Sequence, residues 1–448
     1  MFCSKVIKPF LLVPALLLAG AAPALAQEIL LGQPNAALDV DEPITIAPSE
    51  GYSVGDFEGD IDSTSLEAPS VEAAGLAGAK SLGLSDGMWG ATTGRRAIAL
   101  IDAAEPTRLY TVNRLVRRVL VAGATPPEAS DGLLAARARA LTRFGAAEEA
   151  ASLAGAAGRD PGIDLQRARA EAALIVGRDE ILCEKDVLGA DPPKGKAGDS
   201  FWPSLRAYCL ARSGDPLAAV AVNAMVELGS VEPTDAPLLE ALVDESLIDY
   251  VPVPHASMLT PLRIAMLRSL GRANRPAIES APLPMIAGLF ALESTGADGA
   301  LIAAERLEAV GAIDTKVLRE MYVAFAANVD GPLGARAKAV KKADDKPDAS
   351  AMGNALIAAA RSGGTGGFSQ LARVLAPAAA KSSVSEAGSL GAIGYALRDA
   401  MLLGGFVTEA GAWSDAQGTK TVAERADIAA VMAVADPSRA AGWQRDYG

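Results

Sequence analysis

The stretch LLAARARALTRFGAAEEAASLAGAA, residues 133–157, contains the pattern that decides the fold. Leu134, Ala138 and Leu141 recur at the spacing of one face of an α-helix. Gly145 then interrupts the pattern, and an alanine-rich segment follows it. Because glycine ends helices and alanine favours them, the stretch predicts two helices joined by a glycine turn.

Three arginines of the first helix lie beside its apolar stripe, namely Arg137, Arg139 and Arg143. Charged side chains beside such a stripe usually face solvent. We therefore expect this helix to bury its leucines and alanines and to expose its arginines.

Glycine turns of the same kind recur at Gly145, Gly177, Gly214, Gly271, Gly296, Gly331, Gly363 and Gly404. Most neighbouring pairs are 25 to 41 residues apart, a period typical of stacked helix–turn–helix repeats. Half of the residues are apolar and only 4% are aromatic, which favours helices over a β-sandwich or barrel. The sequence predicts an all-α fold, a right-handed α-solenoid of degenerate helix–turn–helix repeats over residues 89–448.

One unit, WPSLRAYCLARSGDPLAAVAVNAMVEL, resembles a tetratricopeptide repeat. Trp202 and Leu205 match the Trp-x-x-Leu start of that repeat, and Ala218 matches the small residue of its second helix. The unit departs from the pattern at Arg206, where glycine is usual, and at Cys209, where tyrosine is usual. The resemblance implies a pair of antiparallel helices at this point of the chain.

A second resemblance covers residues 89–448 more broadly. It is carried by the segments GMWGATTGRRAIALIDAAEPT, SLRAYCLARSGDPLAAVAV, LTPLRIAMLRSLG and LIAAERLEAVGAIDTKVLREMYVAF. These segments look like parts of a group of exported alphaproteobacterial proteins. The resemblance implies a helical, solenoid-like protein of the periplasm, and it assigns no catalytic residues.

The first 26 residues have the pattern of a secretory signal peptide. Lys5 and Lys8 precede an apolar run, and the small residues of Ala24-Leu25-Ala26 predict cleavage after Ala26, which makes Gln27 the first mature residue. The apolar run is short for a membrane-spanning helix, and no later segment is long and apolar enough to be one. We expect a periplasmic or secreted protein.

Residues 27–88 are acidic and rich in Gly, Pro and Ser, and they carry twelve acidic residues and one base, Lys80. Such composition predicts a disordered leader, which could act as a tether or dock on another molecule. The whole chain has a net charge of −13, and no basic face stands out in it. Nucleic acid and anionic lipid are therefore disfavoured as partners.

Two cysteines, Cys183 and Cys209, remain after removal of the signal peptide. They lie 26 positions apart, with no neighbouring Cys or His to complete a zinc site and no Cys-x-x-Cys spacing. In an oxidising compartment an even number of cysteines favours a structural disulfide over two free buried thiols. Antiparallel neighbouring helices would bring their Cα atoms within bonding range.

Candidate catalytic groups are few. The single histidine, His255, lies in a proline-flanked connection and cannot form a His-x-x-x-His metal pair. Gly83–Gly87 matches the letters of a nucleophile elbow but lies in the leader without a preceding strand. The glycine-rich segment Ser362–Leu371 matches no phosphate-binding fingerprint and is interpreted as a turn.

Three pairs of carboxylates could in principle serve a glycosidase: Glu148 with Glu149, Glu305 with Glu308, and Asp344 with Asp345. Glu305 and Glu308 lie beside the apolar stripe of their helix, so we interpret them as a solvated face. No catalytic, cofactor-binding or metal-binding residues are predicted.

Residues 336–353 are charged and contain a proline, so they predict either a flexible joint or an ordinary exposed loop between helices. The C-terminal GWQRDYG shows no cap signal, which leaves a terminal capping helix undecided.

The sequence thus predicts an exported, non-catalytic scaffold that binds another protein or a component of the cell envelope. Trp202, Tyr208 and Tyr322 are candidate partner contacts, with core packing as their other interpretation. Two alternatives stay open: an envelope enzyme on a helical scaffold, such as a peptidoglycan-cleaving one, and a structural component tethered through the leader.

Overall fold

A computed structural model describes residues 70–107, 109–156, 162–184, 199–272, 275–290, 296–362 and 367–417. Regular structure in these residues is nearly all helical, which confirms the prediction of an all-α fold. The predicted signal peptide, residues 27–69 of the predicted leader and the C-terminal GWQRDYG lie outside the described residues.

The first ten helices run from the end of the leader to the middle of the chain. They are α1 (Gly94–Asp102), α2 (Tyr110–Val121), α3 (Leu133–Arg143), α4 (Ala147–Gly155), α5 (Ile163–Val176), α6 (Asp179–Cys183), α7 (Phe201–Arg212), α8 (Pro216–Glu227), α9 (Ala236–Val243) and α10 (Pro261–Ser269).

The second half continues in the same way. Its helices are α11 (Arg275–Ser280), α12 (Leu283–Phe290), α13 (Gly296–Ala309), α14 (Thr315–Phe325), α15 (Gly331–Asp345), α16 (Ala349–Arg361), α17 (Gly367–Ala379), α18 (Ala392–Leu403) and α19 (Val407–Gln417). Short 3₁₀ helices cover Val71–Ala73, Ala79–Leu82, Glu245–Tyr250, Ala256–Met258 and Val384–Ser389. The described strands are β1 (Ala77–Gly78) and β2 (Ala122–Gly123), which pair in parallel with Ala77 opposite Ala122.

The glycine turns lie where the sequence places them. The predicted turn residues with positive φ are Gly145, Gly177, Gly214, Gly271, Gly296 and Gly331. Gly404 ends α18 with a helical φ, and its neighbour Gly405 takes the left-handed conformation instead. Gly363 lies outside the described residues. Two features favour glycine at position 145. Its φ is +75°, a conformation that other residues rarely adopt, and a Cβ there would lie 3.1 Å from Leu307 Cδ2, which is a tight contact.

Most contacts join helices that are neighbours or next neighbours in the chain. Several are longer in range: α5 packs on α10 and α12, α3 touches α12, and α17 packs on α13 and α14. In a strictly linear repeat array each unit contacts only its neighbours. The described helices therefore form a more closed arrangement than such an array.

The last part of the predicted leader, residues 70–88, packs against the helices. The Glu72 carboxylate accepts hydrogen bonds from the backbone N–H groups of Gly132, at 3.0 Å, and Leu134 at the start of α3. A carboxylate at this position satisfies donors that have no partner within the helix. The helical unit thus begins no later than residue 70, earlier than the predicted boundary at residue 88.

Arginine side chains close the carboxyl-terminal ends of four helices. Because the last carbonyls of a helix have no partner within it, an incoming guanidinium can supply the missing donors. Arg143 reaches the end of α1, Arg137 that of α2, Arg268 that of α5 and Arg306 that of α11.

Arg137 corrects the expectation drawn from its position beside the apolar stripe. Its side chain is 1% exposed and lies between α3, the end of α2 and the leader. It donates to the carbonyl oxygens of Leu120 at 2.8 Å, Ala122 at 2.7 Å and Ala74 at 2.7 Å. Burial lowers the pKa of Arg137 to about 10, against the opposing charge of Glu72, so the guanidinium stays charged at neutral pH.

The stretch 336–353 does not form an extended joint. It lies mostly within α15 and α16, which pack together and are joined through residues 346–348. The loop between these helices is confined to residues 346–348, so most of the stretch is helical and neither interpretation offered by the sequence describes it.

Replacing Arg137 with Met should destabilise the protein strongly. The substitution keeps the apolar stem but leaves three buried carbonyls without donors, which should lower the free energy of unfolding by about 3 kcal/mol. Urea denaturation followed by circular dichroism measures this loss.

The matched control is Arg139→Met on the same helix, where the arginine side chain is 36% exposed and pairs with Asp102 at 3.3 Å. That change should cost no more than about 0.5 kcal/mol. Equal losses in the two variants would show that the carbonyl contacts of Arg137 do not stabilise the fold.

Candidate functional site

The predicted disulfide is present between Cys183, at the end of α6, and Cys209, in α7. The Cα atoms of the two residues are 5.2 Å apart, within the normal range for a disulfide. Helices α7 and α8 pack on each other, and Trp202, Leu205 and Ala218, which carry the tetratricopeptide resemblance, are buried. The bond therefore fastens this pair to the short helix α6.

A polar cluster lies beside the disulfide, centred on the carboxylate of Asp179. This carboxylate accepts hydrogen bonds from Tyr208, at 2.6 Å, and from Arg212, and it lies 3.4 Å from the guanidinium of Arg268. The hydroxyl group of Ser269 lies 3.0 Å from that of Tyr208. One buried carboxylate thus joins α6, α7 and α10.

The electrostatics of this cluster favour a structural role. Burial and the hydrogen bond to Asp179 raise the pKa of Tyr208 to about 12, so the phenol stays protonated at neutral pH. Burial lowers the pKa of Arg268, whose guanidinium also donates to the backbone oxygens of Leu174 at 2.6 Å and Ile175 at 3.0 Å. A neutral phenol beside a carboxylate with three donors offers no poised base or nucleophile.

The three aromatic side chains considered as partner contacts are core residues. Tyr208 and Tyr322 are fully buried and Trp202 is 6% exposed, so none of them forms a surface in the described chain. The hydroxyl groups of the two tyrosines donate to the carboxylates of Asp179 and Glu305, whereas the buried Nε1 of Trp202 has no hydrogen-bond partner among the described residues.

Glu305 belongs to a second cluster, with the buried Tyr322 and the half-buried Arg336, and its own side chain is 16% exposed. The guanidinium of Arg336 donates to both oxygens of Glu305, at 2.9 and 2.8 Å, and the Tyr322 hydroxyl donates to one of them. Burial, together with the charge of Glu305, raises the pKa of Tyr322 well above its ordinary value. Glu305 is therefore not part of a solvated face.

Glu308 is buried completely, which also contradicts the solvated interpretation. Arg373 of α17 donates to both of its oxygens, at 2.7 and 2.6 Å, and the Thr315 hydroxyl donates at 2.8 Å. The same guanidinium lies over the ring of Tyr110, 4.3 Å from its centroid. Helix α13 packs on both sides, so the side chains beside its apolar stripe meet neighbouring helices instead of water.

The other carboxylate pairs are divided among separate arginines. Glu148 pairs with Arg178 at 2.8 Å, Glu149 with Arg117, and Asp344 with Arg319. Each of these three acids is therefore held by an arginine of its own.

The remaining candidates have local structural roles in the residues described. His255 is exposed, and its Nδ1 lies 3.0 Å from the hydroxyl group of Ser257 at the start of a 3₁₀ turn. Ser85, in the Gly83–Gly87 segment, accepts a hydrogen bond from the Gly87 N–H. Residues 363–366 of the glycine-rich segment lie outside the described residues. Within the described ranges, no group of three or more His, Cys, Asp or Glu side chains could hold a metal ion.

The most exposed large apolar side chains of the described residues lie on α8, at its C-terminal end and in the 3₁₀ helix Glu245–Tyr250. Leu217 is 77% exposed, Val220 66% and Leu228 80%, and Tyr250 in the following 3₁₀ helix is 82% exposed. Sequence reasoning missed this surface because α8 is apolar around most of its circumference. That pattern does not say which face is buried.

A groove of about 320 Å³ runs beside this stripe, between α8 and α9. Its lining comprises Asn223, Val226, Glu227, Glu240, Val243, Asp244 and Leu247. We call the groove together with Leu217, Val220, Leu228 and Tyr250 the α8–α9 surface. The main packing partners of helix α8 are α7 and α9, so this surface lies toward an edge of the described part of the fold.

No described helix has the length and apolar content needed to cross a bilayer.

Loss of the disulfide should destabilise the protein. A cross-link that closes a loop of 26 residues stabilises by roughly 3 to 4 kcal/mol in the chain-entropy estimate. Replacing both cysteines with serine should therefore shift the urea midpoint downward. Reductant should destabilise the unmodified protein but not the double variant. A double variant as stable as the oxidised, unmodified protein would contradict the stabilising role of the disulfide.

Stability should fall at alkaline pH through Tyr208. Because its pKa is raised from 10.0 to about 12, the folded state keeps the proton while the unfolded chain releases it. The contribution is complete below pH 10 and is lost as the pH rises toward 12.

Tyr208→Phe removes the hydroxyl group, which should cost about 1–2 kcal/mol at pH 8. The unmodified protein and the Tyr208→Phe variant should become more similar in unfolding free energy as the pH rises from 10 toward 12. A difference that stays constant with pH would show that Tyr208 titrates alike in both states.

Known proteins offer no match to this chain: no family model, no curated sequence and no solved structure matches it. Its function has to be inferred from its own residues and surfaces.

Proposed function

We propose that the protein is an exported, non-catalytic scaffold of degenerate helical repeats that binds another protein of the bacterial cell envelope. The predicted signal peptide supports export, and the disulfide between α6 and α7 suits an oxidising compartment. The succession of glycine-turn helix pairs supports a repeat origin, with long-range packing that closes the array.

The observation that carries the binding function is the α8–α9 surface. Isolated apolar residues are normal on a protein surface, whereas contiguous apolar side chains beside a groove mark sites of protein association. Leu217, Val220 and Leu228 follow one another at the spacing of a helix face, and each is at least 66% exposed. Burying this stripe against a partner would remove apolar area that the fold leaves in water.

Acids held by arginine support the non-catalytic part of the proposal. Asp179, Asp235, Glu305 and Glu308 each accept hydrogen bonds from arginine, which neutralises them and fixes their position. A catalytic acid or base must instead reach a reacting group in a cleft.

Photo-crosslinking in cells tests the proposal. A photoreactive phenylalanine at position 217 or 228 should give one defined adduct of higher mass in the periplasmic fraction. The same label at Leu100, which is 60% exposed on α1, serves as the matched control and should give none.

Adducts from all three positions, or from none, would count against a binding site on α8. Release of muropeptides by the purified protein, abolished by one acid substitution, would contradict the non-catalytic role.

A further inference from the structure

We propose that the α8–α9 surface binds a basic amphipathic helix, in which large apolar side chains are flanked by Lys or Arg. This inference rests on the proposed binding function and names the chemistry of the partner. It follows from the negative charge of the surface, from two carboxylates that form no ion pair among the described residues, and from the shape of the groove.

The charge of this region is one-sided. Residues 213–262 contain no Lys or Arg. Their acidic residues are Asp215, Glu227, Glu232, Asp235, Glu240, Asp244, Glu245 and Asp249. The nearest bases along the chain are Arg212 and Arg263, and both are bound to buried aspartates. Because basic side chains are otherwise distributed along the helical part, this is a local property and not the average of an acidic protein.

Several acids of the segment have contacts within the fold, among them Asp244, which caps a 3₁₀ helix, and Asp249, whose carboxylate lies 3.5 Å from the guanidinium of Arg272. Asp235 pairs with Arg263, Glu232 accepts a hydrogen bond from the Ser200 hydroxyl, and Asp215 caps α8. These three carboxylates therefore already have partners within the fold. Glu227 and Glu240 line the groove from opposite sides, and neither forms an ion pair with any residue that the structure describes. These two carboxylates are therefore available to a partner.

An apolar stripe and acidic side chains lie next to each other on this surface. On α8 the exposed stripe of Leu217, Val220 and Leu228 lies next to the face that carries Asn223 and Glu227. A partner that covers the stripe must bring its edge against Glu227 and, across the groove, against Glu240. An acidic or anionic partner would meet like charge there, whereas Lys or Arg would meet opposite charge.

The groove runs between two helices, each of which contributes residues at i, i+3 and i+4. Asn223, Val226 and Glu227 come from α8, and Glu240, Val243 and Asp244 from α9 and its end. A third helix packs naturally against such a pair, with its apolar ridge in the groove. The apolar contacts would supply most of the affinity, and the carboxylates would set orientation and partner choice.

Model peptides test the inference on the full exported chain. The probe is a helical peptide of about 18 residues with Leu at i, i+3, i+4 and i+7 and Lys elsewhere, labelled for fluorescence anisotropy. The comparison peptide carries Glu in place of Lys. We expect binding of the lysine peptide alone, and we expect it to weaken with added salt.

Variants locate the site. Leu217→Ser with Leu228→Ser, and separately Glu227→Lys with Glu240→Lys, should each weaken binding by about tenfold or more. The control combines Leu100→Ser with Asp345→Lys, one exposed leucine and one exposed acid on other helices, and should bind as the unmodified protein does. Circular dichroism of every variant confirms that it is folded.

Equal binding of the lysine and glutamate peptides, or equal weakening by the control variant, would overturn the inference. So would self-association of the chain through this surface in sedimentation, lost on Leu217→Ser. If the photo-crosslinked adduct forms while the lysine peptide fails to bind, the partner chemistry is wrong and the scaffold function stands. If neither the photo-crosslinked adduct nor binding of the lysine peptide is observed, the proposed binding function is wrong as well.

Discussion

The interaction on which this structure depends is the hydrogen bond between an arginine guanidinium and a group that the helices leave unsatisfied. Alanine-rich helices approach closely but bury little area per side chain, so apolar packing alone specifies their ends weakly. Arg137, Arg143, Arg268 and Arg306 each donate to the last carbonyls of another helix. These contacts satisfy acceptors that would otherwise be buried without partners, and they fix where one helix ends against the side of the next.

Buried carboxylates extend the same principle over long distances in the chain. Arg268 of α10 joins the end of α5 to Asp179, and Arg373 of α17 holds Glu308 of α13 while covering Tyr110 of α2. Removing one partner of such a pair leaves the charge of the other buried without its counter-charge, which strongly destabilises the fold. They provide a physical reason for the long-range packing of helices that a linear repeat array would keep apart. By contrast, Glu227 of α8 and Glu240 of α9 form no ion pair within the described part of the chain, and both line the groove of the α8–α9 surface.

Local features of the fold could be predicted from the sequence, and features that depend on distant partners could not. The glycine turns and the disulfide follow from spacing and compartment, because each involves segments that adjoin in the chain. The burial of Arg137 and Glu308 was missed because a stripe analysis considers one helix against one surface, and the partner of Glu308 lies 65 residues away. The acidic run around α8 is visible in the sequence. Which side of that apolar helix faces water became visible only in the fold.

Long-range arginine contacts should make the described helices open together, and native-state hydrogen exchange measures this. If Arg268 joins α5 to α10, the slowest amides of both helices should exchange with the same opening free energy, and Arg268→Met should lower both values equally. A linear array would behave differently: α10 would lose protection in the variant while α5 kept its own. Independent exchange of the two helices would contradict the view that these contacts close the fold.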